Sequence, residues 1–222
     1  MSNTDPRDVA RIYQDSRERV AALVAHLDDT ELNTAVAACP GWSVLAVVAH
    51  LAAVAEDIGQ GRLTGPPTDE ETAAQVARFD GANVGKVLAA WSEAAEQLSR
   101  LAETAGLAPP VGDVVSHEHD IRAAIGRPGM RDSDAVRYSA DLLLRSLRTP
   151  VPLRVAVEDG EYRAGPDDGP ELRLRTTRFE ALRWRTGRRS RAQLAAMDWS
   201  ADPEPVLDQL CMFGPAQTDL VE

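Results

Sequence analysis

The sequence has few cysteines and no long apolar run. Cys39 and Cys211 stand far apart and outside any Cys-x-x-Cys spacing, which argues against both a disulfide framework and a thiolate zinc site. No apolar stretch reaches the ~18 to 20 residues that span a bilayer, and the first residues lack the charged-then-apolar pattern of a signal peptide. We therefore expect a cytoplasmic protein that does not enter a membrane.

Positive charge is also scarce. The 222 residues include 24 basic and 35 acidic side chains, which gives a formal net charge of −11. Proteins that bind nucleic-acid backbones depend on accumulated positive charge, so DNA and RNA are not expected partners. Hydrophobic residues form 44% of the chain, enough to bury a core in one large or two small domains. The oligomeric state cannot be read from the sequence.

The first 130 residues have the apolar spacing of helices. Asp5 followed by Pro6 predicts a helix that begins there and runs to about residue 26, and Ser43 is a candidate cap for a second helix over 44–58. A third helix is predicted within 70–103 and a fourth over 112–125, which closes at a Gly-Arg-Pro-Gly segment. Four helices of this length predict a bundle.

Beyond residue 130 the pattern changes. One more helix is predicted over 134–147, and the segments 153–157 and 172–177 alternate with the period of two that is typical of strands. Short helices are predicted at 179–184, 191–197 and 205–213. The expected fold class is therefore α+β, with a four-helix bundle over 1–130 and a small mixed α/β domain over 131–222.

Two of the predicted helices carry residues that can bind a metal. Asp113 and His117 are four positions apart, so they project from one helix face and can chelate one ion, and Asp120 lies one step further along that face. His50, on the second helix, could add another imidazole nitrogen inside the bundle. Two histidines and one carboxylate that leave a position open are the arrangement of a catalytic divalent site. The candidate ligands are therefore His50, Asp113 and His117.

Simpler explanations of the same residues remain open. A single histidine in an apolar helix is commonly bonded to a carbonyl, and an i, i+4 carboxylate–histidine pair is commonly a solvated contact. We expect His119 to face away from His117, Arg122 to pair with a carboxylate, and Trp42 to pack at the start of the second helix. Cys39 is left out of the site, because no basic residue near it in the sequence would activate its thiol.

Arginine supplies nearly all of the positive charge, and it is concentrated between residues 173 and 191. Eight arginines lie there: Arg173, Arg175, Arg178, Arg183, Arg185, Arg188, Arg189 and Arg191. One or two could clamp the carboxylates of a substrate. Residues 131–222 hold 14 arginines against 16 acidic residues, however, so we favour a solvated surface with internal ion pairs.

These segments resemble the mycothiol-dependent maleylpyruvate isomerase family of actinobacteria, a branch of the DinB-like four-helix metalloproteins. An arginine-rich, lysine-poor composition is typical of the GC-rich genomes of such a source. The resemblance covers nearly the whole chain and is carried by Pro40-Gly41-Trp42-Ser43 with His50, by Asp113, His117, Asp120 and Arg122 at their mutual spacing, by Gly126-Arg127-Pro128, and by the segments 187–193 and 199–203.

The resemblance implies a DinB-like bundle whose metal is held by His50, Asp113 and His117. Asp113 stands where the family usually has glutamate, so this carboxylate is one methylene shorter. The implied cofactors are a divalent metal, with zinc favoured, and mycothiol as cosubstrate. The implied partners are therefore a small-molecule thiol and an electrophilic substrate.

In the family's isomerase reaction a thiolate adds to the cis double bond of maleylpyruvate, the new single bond rotates, and elimination releases fumarylpyruvate and the thiol. Relatives transfer a thiol to an electrophile and stop there. The implied function is therefore a thiol-activating isomerase or S-transferase. The alternative is a non-catalytic metal-binding or regulatory protein of the same fold, in which the metal site would be closed.

Overall fold

The computed structural model describes residues 4–222, and the chain forms two compact units that divide between Pro128 and Gly129. None of the helices within these residues is long and apolar enough to cross a membrane. The first unit is helical. Its elements are α1 (Pro6–Val24), α2 (Asp29–Leu32), α3 (Val44–Gly59), α4 (Asp69–Ala77), α5 (Val84–Ala105) and α6 (Val111–Ala124).

Four of these helices form a bundle, as predicted. Helix α1 packs against α5 and α6, and α3 packs against the same two helices, so the four contacts close a ring. Inside the ring, the buried Trp91 indole donates a hydrogen bond of 2.9 Å to the hydroxyl of Tyr13. Each large apolar side chain buried here contributes roughly 1.5–3 kcal/mol to stability. The apolar stripes that predicted the helices therefore also form the bundle core.

The single helix predicted within 70–103 is two helices. Helix α4 ends at Ala77, the turn after it contains Gly81 with a left-handed φ of +73°, and Asn83 then caps α5 by accepting a hydrogen bond from the amide of Lys86. Helix α4 has its own start, because Thr68 and Glu71 form a reciprocal capping box. The separate caps of α4 and α5 therefore divide the stretch that the apolar spacing predicted as one helix. The short helix α2 was not predicted.

Helix α4 is tied to α3 by a polar cluster around Asp57. The Asp57 carboxylate accepts hydrogen bonds from Gln75, Arg62 and Arg78 at distances of 2.6–3.2 Å. Burial alone would raise the pKa of Asp57, but these three donors outweigh it and hold the pKa below its usual value. The ionised carboxylate is therefore the form that stabilises the fold.

Helix α6 is buried along almost its whole length, although half of its sequence is polar. Every residue from 114 to 121 is buried. The carboxylate of Glu118 is fully buried and accepts hydrogen bonds from Arg19 of α1 at 2.8–3.2 Å. Arg122, one turn further along α6, pairs with the same carboxylate at 3.0 Å, so the carboxylate partner expected for it lies in its own helix. This ion cluster lets a charged helix occupy the interior.

The second unit combines helices with one mixed sheet, so the predicted α+β class is confirmed. Its strand order is β2-β1-β3-β4, with β1 antiparallel to β2 and parallel to β3, and β3 antiparallel to β4. The strand predicted over 153–157 is β1, while β2 and β4 were not predicted. The elements are α7 (Asp134–Arg145), β1 (Leu153–Val157), β2 (Gly160–Ala164), β3 (Leu172–Arg175), α8 (Arg178–Arg185), α9 (Arg191–Ala195), β4 (Asp198–Trp199) and α10 (Leu207–Leu210).

The interpretation of the arginine group as a solvated surface is wrong for three of its members. Arg183, Arg185 and Arg189 are buried. Arg183 and Arg189 both pair with the carboxylate of Glu222, and Arg189 also pairs with Glu180 at 2.7 Å. Arg185 instead donates to backbone carbonyls of the same unit. All three guanidinium groups therefore have partners within the unit, and those of Arg183 and Arg189 form the expected internal ion pairs.

Candidate metal centre

A tight turn leads the chain into the candidate site. The amide of Trp42 donates to the carbonyl of Cys39 at 3.0 Å, Pro40 is the second residue of the turn, and Gly41 is the third, with a φ of +86°. This is the pattern of a type II turn, in which proline suits the second position and glycine the third. Ser43 then caps α3 by accepting from the amide of Ala46 at 3.2 Å. Cys39 and Trp42 are therefore held at the two ends of one rigid turn.

The structure brings together the three residues predicted as ligands. Oδ1 of Asp113 lies 3.8 Å from Nε2 of His50 and 3.6 Å from Nε2 of His117. One ligand atom from each of the three residues lies within 4.8 Å of the others, as in a group that could hold a metal ion. The two imidazole rings meet edge to face, with centroids 5.3 Å apart. Asp113 reaches both histidines even though its side chain is shorter than glutamate.

The spacing of these atoms fits a divalent cation. Tetrahedral ligands with bonds of about 2.0–2.1 Å lie about 3.3–3.4 Å apart, slightly closer than the two distances observed. Both observed distances are longer than a hydrogen bond, so neither pair of atoms is bonded directly to the other. The side chains of His50 and His117 are 5% and 10% exposed, whereas that of Asp113 is 32% exposed. Solvent therefore reaches the group from the side of Asp113.

Asp120 orients one of the two imidazoles. Its Oδ2 lies 3.0 Å from Nδ1 of His117, and its side chain is fully buried. When the Nδ1–H of His117 donates to this carboxylate, the neutral ring carries its lone pair on Nε2, the atom that faces Asp113. A carboxylate behind a histidine in this way fixes the tautomer and raises the basicity of a metal ligand. The spacing of three residues between His117 and Asp120 predicts that both lie on one helix face. It does not predict that Asp120 orients the imidazole.

Cys39 lies against the same carboxylate. Its Sγ is 3.6 Å from Oδ2 of Asp120, to which the thiol donates, and 3.7 Å from Nδ1 of His117. Cys39 was left out of the site because no basic residue stands near it in the sequence. The structure nevertheless places the imidazole of His117, 78 positions away in sequence, within 3.7 Å of the Cys39 sulfur. The only sequence signal for this contact is the Pro-Gly turn that carries Cys39 to the site.

Two aromatic side chains interact with the group. The indole of Trp42 packs on both imidazoles, with ring centroids 5.1 Å from His50 and 6.4 Å from His117. Burial raises the pKa of the Tyr13 phenol well above its ordinary value, and the negative charge of Asp113 raises it further against the hydrogen bond from Trp91. The phenol of Tyr13 therefore stays protonated and neutral, and it is not a base.

The contacts of His119 and His50 bear on the simpler explanations of these two histidines. His119 is buried in α6 but belongs to neither group of possible ligands found within residues 4–222. His50 is buried, and its Nδ1 has no hydrogen-bond partner within that part of the chain. The explanation of His50 as a histidine that bonds to a carbonyl therefore gains no support.

Comparison with known proteins identifies the family of this chain. A family model described as the mycothiol maleylpyruvate isomerase N-terminal domain matches residues 13–177, a range that includes every side chain of the site. No curated protein matches the chain by sequence.

Two solved structures share the fold. They are the mycothiol-dependent maleylpyruvate isomerase, at 13% identity and a TM-score of 0.54, and a histidine-to-alanine mutant of it, at 12% identity and a TM-score of 0.55. In each case the likeness covers 82% of this chain and 89% of the other. At such low identity these structures show only that the fold is shared. The family model, however, spans well over half of the chain, and on that ground the protein belongs to the mycothiol maleylpyruvate isomerase N-terminal domain family.

Proposed function

We propose that this protein is a divalent-metal-dependent enzyme that activates a low-molecular-weight thiol for addition to an electrophile. The observation that carries the proposal is the convergence of one ligand atom each from His50, Asp113 and His117 within 4.8 Å of one another, with Oδ1 of Asp113 facing Nε2 of both histidines. These three atoms would hold the metal. Zinc is favoured, because two imidazoles and one carboxylate form a common catalytic zinc site.

His50, Asp113 and His117 would hold the cation, which would supply the positive charge that lowers the pKa of a bound thiol toward neutral pH. The residues of the chain prepare the site for this chemistry. Asp120 keeps a proton on Nδ1 of His117, so that Nε2 remains a donor. Trp42 covers the two imidazoles and keeps water from that side, while the partly exposed Asp113 marks the side from which a thiol can enter.

The thiol and the reaction follow from family membership and not from the geometry. We propose mycothiol as the thiol, because the matched family is named for it. Addition to maleylpyruvate with rotation and elimination would make the protein an isomerase. Addition to another electrophile without elimination would make it an S-transferase. Both reactions begin with the same ionised thiol at the same site.

The first experiment is to measure metal content in protein purified without a chelator. We expect about one divalent ion per chain in the native protein and a loss of that ion in His50→Ala and in His117→Ala. His26→Ala is the matched control, because His26 is exposed and belongs to neither group of possible ligands. A native protein that binds no divalent ion even after supplementation would refute the proposal.

The second experiment separates an enzyme from a non-catalytic metal protein. The metal-loaded protein is mixed with mycothiol and maleylpyruvate, and the loss of the cis isomer is followed by chromatography. A parallel sample contains an epoxide in place of maleylpyruvate, to detect thiol transfer. Turnover that disappears in His117→Ala supports the enzyme. Tight metal binding without either reaction supports the alternative, a binding or regulatory protein.

A further inference from the structure

His117 stands between two groups of possible ligands and turns a different ring nitrogen to each. Its Nε2 faces His50 and Asp113, while its Nδ1 faces Cys39 and Asp120. In the second group the distances are 3.0 Å from Nδ1 to Asp120, 3.7 Å from Nδ1 to Cys39, and 3.6 Å from Cys39 to Asp120. Three different ligand types thus converge on one point behind the imidazole.

The second group has the dimensions of a thiolate metal site. With the bond lengths of zinc, about 2.3 Å to sulfur and about 2.0 Å to nitrogen or oxygen, tetrahedral ligands lie about 3.5 Å apart when one is sulfur and about 3.3 Å apart otherwise. The three observed distances are close to these values. His117 and Asp120 are buried and Cys39 is half-buried, so the point they surround is shielded yet reachable.

We propose that Cys39, Nδ1 of His117 and Asp120 form a second site, which takes a thiophilic divalent cation such as Cd²⁺. The first group offers only nitrogen and oxygen, whereas the second offers a thiolate, and soft metals select thiolates. The second site needs no catalytic activity and does not depend on the function proposed above.

The two sites are alternatives, and the tautomer of His117 selects between them. A neutral imidazole has a proton on one nitrogen and a lone pair on the other. Binding at the second site releases the thiol proton of Cys39 and moves the ring proton of His117 from Nδ1 to Nε2. That proton then points into the space between Nε2 and Oδ1 of Asp113, two atoms 3.6 Å apart, where the first site would hold its metal. A soft cation in the second site therefore removes one ligand from the first.

The test is a titration of the full chain with Cd²⁺, followed by the ultraviolet charge-transfer absorption of a cadmium–thiolate bond. We expect this band to grow to about one equivalent in the native protein and in Cys211→Ser, which removes the other cysteine, and to be absent in Cys39→Ser. Asp113→Asn, which weakens only the first site, should keep the band. Circular dichroism of each variant checks that the fold is retained.

The same variants distinguish the two sites. A titration with Co²⁺, which accepts nitrogen and oxygen ligands, should bind Cys39→Ser as well as it binds the native protein and should bind Asp113→Asn at least tenfold more weakly. A cadmium–thiolate band that is absent from the native protein, or that is lost in Cys211→Ser and kept in Cys39→Ser, would overturn the second site. Neither result would affect the first site, whose failure would show instead as no Co²⁺ binding to Cys39→Ser.

Discussion

Replacing Asp120 should weaken metal binding while leaving the three proposed ligands in place. Asp120 is fully buried and holds Nδ1 of His117 at 3.0 Å. Loss of such a partner behind a ligating histidine typically costs 10- to 100-fold in metal affinity, which is about 1.4–2.7 kcal/mol. Asp120→Asn keeps an oxygen that accepts the Nδ1–H but loses the negative charge. Asp120→Ala loses both, so we expect it to bind zinc more weakly than Asp120→Asn.

The affinities are measured by competition with a chromophoric zinc chelator, using the native protein and both variants. Asp198→Asn is the matched control, because Asp198 is an exposed carboxylate in the second unit. Urea denaturation of the metal-free proteins separates a loss of affinity from a loss of folded protein. If Asp120→Ala binds zinc as tightly as the native chain, Asp120 does not support His117 as a ligand and the argument from the tautomer is wrong.

Three further predictions concern the stability of the fold. Glu118→Ala leaves two partly buried arginines without their shared, fully buried carboxylate and should lower the free energy of unfolding by about 3 kcal/mol, as urea denaturation would measure, and a loss below about 1 kcal/mol would contradict the ion cluster. Gly165→Ala should lower the melting temperature, because Gly165 has a φ of +83° and a Cβ there would collide with the carbonyl of Val151, whereas Gly85→Ala in α5 should not. The pKa of Asp57 is depressed in the folded protein, so its stabilisation is present above the unfolded pKa and is lost as the pH falls through the folded pKa. The difference in the free energy of unfolding between the native protein and Asp57→Asn should therefore be largest near neutral pH and shrink below about pH 4. A difference that grows on acidification would show that the ionised Asp57 carboxylate does not stabilise the fold.

Local patterns in the sequence were enough to predict most of the helices. Asp5 with Pro6, and Ser43, stand at helix starts in the structure because capping depends only on neighbouring residues. The placement of Asp113 and His117 on one face follows from helix periodicity, and their helix begins within one residue of its predicted start. These features need no knowledge of the tertiary fold.

Features that depend on distant parts of the chain were missed. The contact between Cys39 and His117 joins residues 78 positions apart, and Arg183 is buried because Glu222, 39 positions away, neutralises it. Strand β2 lies at the edge of the sheet and is mostly exposed, so it lacks the alternation of apolar residues that reveals a half-buried strand. Burial of charge and pairing of edge strands are tertiary properties, which local periodicity does not encode.

Because every residue of α6 from 114 to 121 is buried, its backbone should resist local unfolding. Segments that exchange their amide hydrogens by local fluctuation are those with exposed backbone and few buried contacts. Helix α4, which is exposed except around Gln75, has that character, whereas α6 has none of it from residue 114 to 121. The amides around His117 should therefore exchange only when the whole bundle unfolds. The backbone that carries His117 and Asp120 thus keeps its helical form for as long as the bundle is folded, with or without a metal.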